Sequence, residues 1–84
     1  MTFTIEWEDA ALDDLDRRDR RTRERILRAV ERFATIGHGD VRRLVNLDAE
    51  YRLPVGPWRV LFDRDDAARV LTILHVLPRG GAYE

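Results

Sequence analysis

The stretch Tyr51–Asp63, YRLPVGPWRVLFD, reads as two short strands around a tight turn. Leu53 and Val55 alternate with Arg52 and Pro54. Trp58, Val60 and Phe62 alternate with Arg59, Leu61 and Asp63. Gly56-Pro57 between them is a turn signal. Period-2 alternation bounded by Gly and Pro is the pattern of a β-hairpin with one apolar and one more polar face. The second face is the informative one, because each strand places an arginine on it.

Upstream, Thr2–Trp7 alternates in the same way and predicts a half-buried strand. Glu8–Arg17 carries Ala11, Leu12 and Leu15 at helical spacing. Its acidic residues lie towards the start and Arg17-Arg18 at the end, as the helix dipole prefers. Asp19 reads as the N-cap of a second helix running to Ile36, where Ile26, Leu27, Val30, Phe33 and Ile36 recur at three and four. Gly37 ends that helix. The short connection predicts an αα-hairpin. Arginines 20, 21, 23, 25, 28 and 32 decorate the second helix. They suit either nucleic acid or a solvated face, where Glu24–Arg28 and Arg28–Glu31 have pairing distance.

Downstream, Val41–Leu47 is open between a connector and a short strand. Asp65-Asp66 marks a turn. Arg69–Leu77, RVLTILHVL, is the most apolar run and predicts a strand in the sheet's interior, stopped by Pro78. The order β-α-α-β-β-β gives an α+β fold: a small, mainly antiparallel sheet with the helical pair on one face and the other face open.

Composition sets the limits. Eighty-four residues make one domain, 1–84, with one core. With 37% charged residues and no apolar run near the ~18 of a membrane span, a membrane partner is not expected. Nothing reads as an export signal, so the cytoplasm is the expected compartment. There is no cysteine and hence no disulfide. His38 and His75 lack a third ligand, and no glycine-rich phosphate loop is present, so neither metal nor cofactor is expected. All 15 basic residues are arginine. Any cation this chain uses is therefore a guanidinium, permanently charged and unable to act as a base. The net charge of −1 requires nucleic-acid binding, if any, to come from a local cluster.

Parity assigns the faces. Phe3, Ile5, Trp7, Leu53, Val55, Trp58, Val60, Phe62, Val70, Leu74 and Val76 should meet the helices. Arg52, Arg59, Leu61, Leu71, Ile73, His75 and Leu77 should face away. Two arginines and a histidine among apolar neighbours suit a phosphodiester, because guanidinium grips phosphate oxygens in pairs and stacks on bases. The plainer reading pairs Arg52 and Arg59 with Asp63 and Glu50 across strands, and bonds His75 to backbone.

The hairpin, the following acidic turn, VLTILHV and a terminal Arg79-x-x-x-Tyr83, together with ERILRAVERF in the helical pair, resemble the RelE/ParE toxin superfamily of bacterial type II toxin–antitoxin systems. The resemblance spans nearly the whole chain. It implies a ribosome-dependent endoribonuclease that cuts mRNA in the A site by 2′-OH attack on the adjacent phosphate. By position it implies Arg59 and Arg79 on the scissile phosphate and Tyr83 on a nucleotide, as the catalytic set, with Arg52 and His75 contacting RNA. It also implies a cognate antitoxin as partner, and contact with operator DNA only through that complex. Pro54, Pro78 and Gly80-Gly81 stand where RelE-like relatives carry basic, histidine or Arg-Asp residues. ParE-like members, which share the fold but lack the nuclease residues and poison DNA gyrase, are the alternative, alongside an inactive member that only binds its antitoxin.

Overall fold

The computed structural model describes residues 2–36, 42–43 and 51–78, with backbone placement alone for 42–43. In chain order the elements are β1 (Thr4–Trp7), α1 (Asp9–Asp16), α2 (Arg20–Ile36), β2 (Arg42–Arg43), β3 (Tyr51–Val55), β4 (Trp58–Asp65) and β5 (Val70–Pro78). The strands form one sheet in the order β1-β5-β4-β3-β2. β1 runs parallel to β5, and every other neighbour is antiparallel. The α+β architecture is the expected one. The open question at Val41–Leu47 resolves at its described residues as the short strand β2, and the Gly37 helix stop lies outside the described residues.

Local chemistry explains the helical pair. The Asp19 carboxylate accepts the Thr22 N–H at 3.0 Å, capping α2 as its position predicts. At the end of α1 the Arg17 and Arg18 N–H groups bond to Asp13 O and Leu15 O, and arginine side chains meet two further carbonyls. Arg18 Nε donates to Asp14 O at 3.2 Å, and Arg23 Nη1 donates to Arg18 O at 2.6 Å. Arg18 also lays its guanidinium over the Trp58 ring, 4.5 Å from the centroid. The far end of α2 is tied to the chain start, where Phe3 N–H donates to Ala34 O at 2.8 Å.

Ile26, Val30, Phe33 and Ala34 of α2, with Ala11 and Leu15 of α1, pack on Leu53, Val55, Val60, Phe62, Leu71, Ile73 and Val76 of the sheet. Each large side chain buried here contributes roughly 1.5–3 kcal/mol. Phe62 is the centre of an aromatic row, tilted against Phe33 and stacked on Tyr51, both at 5.5 Å. No helix of the described residues is long and apolar enough to cross a membrane.

Gly56 and Pro57 close the β3–β4 hairpin between the paired residues Val55 and Trp58. Gly56 has φ +58, and Pro57 holds a negative φ by its ring. A positive then a negative φ is the type II′ turn, whose twist matches the strands. The acidic turn behaves as its composition predicts: Asp65 Oδ1 accepts Ala68 N–H at 3.0 Å.

One expectation fails. Leu71 and Ile73 were assigned by parity to the open face, yet both are 1% exposed and belong to the helix-side core. The cause is a β-bulge. Phe62 pairs with Ile73 but Leu61 pairs with His75, so Leu74 is an extra residue on β5. An extra residue reverses the alternation. Before it, Leu71 and Ile73 share the face of Phe62; after it, Val76 does. Val70 and Leu74, assigned to the helices, are half-buried and stand outside that core. His75 and Leu77 keep the face expected of them.

Candidate functional site

The bulge aligns four positions into a rung across the sheet. Arg42 of β2 pairs with Arg52 of β3, Arg52 with Leu61 of β4, and Leu61 with His75 of β5. On the next rung Pro54 pairs with Arg59, and Arg59 with Leu77. Arg59 is thus the diagonal neighbour of both Arg52 and His75, at roughly 7–8 Å between backbones. Leu61 lies between the three, buried yet outside the helix-side core. The face away from the helices therefore carries an apolar floor ringed by two guanidiniums and an imidazole.

Arg59 differs from the surface residue that simple alternation implies. It is only 9% exposed. Its Nη1 donates to the neighbouring Trp58 carbonyl at 3.1 Å. Its buried Nε has no hydrogen-bond partner among the described residues. A buried guanidinium with an idle donor is expensive in water-free surroundings unless an anion completes it. Of the plainer pairing of Arg52 and Arg59 with Asp63 and Glu50, the register shows that Arg59 sits opposite Pro54 and Leu77, with no acid across either strand. Glu50 lies outside the described residues.

His75 is held from one side. Its Nδ1 is 3.2 Å from Asp14 Oδ2, and the same oxygen accepts the Val76 N–H at 3.0 Å. The reason is topological. β1 ends at Trp7, opposite Ile73, so the edge of β5 beyond that point has no strand neighbour. α1 fills the gap and supplies a carboxylate where a strand carbonyl would otherwise accept. With Nδ1 against Asp14, Nε2 points away from it. The side chain remains 41% exposed.

Asp14 was missed by sequence reasoning, which counted it among acids favouring a helix start. A signal was present. Asp14 falls between Ala11 and Leu15 on the inward stripe of α1, a position where a charge needs a partner, and it is only 8% exposed. Arg42, opposite Arg52, was also missed, because nothing fixes the register of so short a strand. Arg79 and Tyr83 lie outside the described residues. Arg52, Arg59 and His75 are brought to one face.

The chain matches the family model described as ParE toxin of type II toxin-antitoxin system, parDE, over residues 5–83. No curated protein matches it. Among solved structures it is similar to RelE in the archaeal RelE–RelB complex from Pyrococcus horikoshii OT3, with TM-score 0.79 at 23% identity over 98% of this chain and 100% of that one. It is similar to a chain of the toxin–antitoxin complex RelBE2 from Mycobacterium tuberculosis, with TM-score 0.66 at 27% identity over 94% and 100%. It also matches an arginine-to-alanine mutant of the E. coli toxin RelE in the free state, with TM-score 0.78 at 13% identity over 98% and 88%.

Proposed function

This chain belongs to the ParE toxin family of type II toxin–antitoxin systems, and from that premise we propose that it arrests translation as a ribosome-dependent mRNA endoribonuclease. The observation that carries the reading is Arg59, buried with an idle Nε on the same face as Arg52 and His75. In the reaction the ribose 2′-oxygen attacks the adjacent phosphorus and the bond to the 5′-oxygen breaks. A cyclic phosphate and a free 5′-hydroxyl result. Charge grows on the non-bridging oxygens, where Arg59 stabilises it. Arg52 holds a neighbouring phosphate. His75 exchanges protons through Nε2 while Asp14 fixes its ring. Arg79 and Tyr83 complete the set by position in the sequence. The chain acts in the cytoplasm and is neutralised by a cognate antitoxin, as suits relatives solved as RelE–RelB complexes.

The test is induced expression in a bacterial host without antitoxin, with mRNA 5′ ends mapped by primer extension. Cuts inside codons are expected from the wild type. Arg59→Ala should lower cleavage by about 10²–10³, the usual effect of one oxyanion-stabilising donor. Uncut mRNA in arrested cells would overturn the reading. The match to a ParE rather than a RelE family model favours a second reading, inhibition of DNA gyrase without nuclease chemistry. Supercoiling by purified gyrase would then stop at saturating toxin, and Arg59→Ala would leave that inhibition intact.

A further inference from the structure

α2 and the β3–β4 turn enclose a groove of about 580 Å³, away from the Arg59 face. Arg21, Arg25, Arg28 and Arg32 line it on the helix side together with one acid, Glu24, and Pro54 and Gly56 on the turn side. The sequence offered Glu24 and Glu31 as partners for Arg28. The structure instead commits Glu24 to Arg20, at 3.1 Å. Among the described residues none of the four groove guanidiniums has a hydrogen bond or ion pair. They are spaced at four, three and four residues, which keeps them on one side of the helix over about 16 Å. Four like charges held in a row form a strip that attracts an anion of similar length.

Gly56 is shaped to this arrangement. A Cβ built there would lie 2.7 Å from the Arg25 guanidinium. The missing side chain lets that cation settle on the turn, at the mouth of the groove. We propose that the groove is a track for the sugar–phosphate backbone of a single nucleic-acid strand. A strand carries one charge per ~3.4 Å of duplex-like rise, so the four arginines match about four or five phosphates. The length and regular spacing of the row suit the even charge repeat of a sugar–phosphate backbone. Pro54 lines the groove and is also the register partner of Arg59. Pro54 is therefore the point at which a strand held at Arg59 would meet the groove. The last point rests on the ribonuclease reading; the groove itself does not.

The test is fluorescence anisotropy of the full chain with a short labelled 2′-O-methyl oligouridylate, which cannot be cleaved, over a range of salt. Arg25→Gln combined with Arg28→Gln should weaken binding at least tenfold at low salt and cut the log–log salt slope by about 1.4, two single-strand phosphates. Arg25→Lys with Arg28→Lys should keep the slope, which excludes misfolding as the cause, and matched melting curves check it. Single-stranded DNA of the same sequence should bind comparably, as backbone contact requires. Wild-type affinity in the double glutamine variant overturns the proposal. So does binding of polyglutamate in the groove with no oligonucleotide binding, or tighter binding of a duplex than of the single strand. Arg59→Ala separates the two readings. If it leaves mRNA cleavage unchanged while the groove variants still lose the oligonucleotide, the chemistry reading fails and the groove stands.

Discussion

Taking a guanidinium out of water costs several kcal/mol, and among the described residues Arg59 recovers little of it, through one hydrogen bond to its neighbour's carbonyl. A residue kept at such a cost serves something other than stability. Arg59→Leu fills the same volume without charge. It should leave the melting temperature unchanged or raise it by a few degrees, while toxicity in an antitoxin-free host disappears. A fall of more than about 10 °C, on the order of 2 kcal/mol for a domain this size, would make the guanidinium structural instead. Asp14 should behave in the opposite way. Its carboxylate occupies the Val76 N–H and one side of His75. Asp14→Ala orphans a buried donor and should cost ~1–3 kcal/mol in chemical denaturation. Asp14→Asn retains an acceptor and should cost less, so equal losses in both variants would argue against the bond to Val76.

Among the elements, α2 offers a test by pH. The hydrogen bonds from Thr22 to the Asp19 carboxylate hold its pKa below the ordinary 3.8. A depressed carboxyl contributes stability that is present above its unfolded value and is lost as pH falls through the folded one. Asp19→Ala should therefore melt below the wild type at neutral pH, and the gap should narrow as pH falls below about 4. A gap constant with pH would remove the charged cap from the account. The helices, the hairpin and the N-terminal cap were legible in the sequence because each rests on local chemistry: a period, a Gly-Pro turn, an aspartate before an apolar stripe. β5 was legible only in part. Alternation placed His75 and Val76 correctly but misplaced Leu71 and Ile73, because nothing in VLTILHVL marks the extra residue. No glycine interrupts it, and each residue is at home in a strand. The bulge is fixed by two demands made from elsewhere, a helix side that needs Leu71 and Ile73 and a free edge that meets Asp14. The burial of Arg59 was hidden for the same reason, since parity gives a face and not the depth of what covers it.

At the scale of the whole molecule, a domain of 84 residues has a modest margin of stability, and a partner that binds only the folded form adds to it directly. The antitoxin expected from the relatives' complexes should raise the melting temperature by more than about 15 °C at 1,000 times its Kd, where the gain is ~4 kcal/mol. A melting point that does not move with antitoxin concentration would mean that the partner was the wrong protein. The parallel pairing of β1 with β5 carries a further consequence. Thr4–Trp7 is synthesised well before its neighbour Val70–Ile73, with both helices and the hairpin between them. Closing so long a loop is slow compared with forming a hairpin. The first strand must wait, unpaired on that side, until β5 has been made. The arginines of β3 and β4 can reach their positions earlier, but the interior strand carrying His75 cannot. The face that gathers Arg52, Arg59 and His75 is therefore assembled only after β5 has joined the sheet.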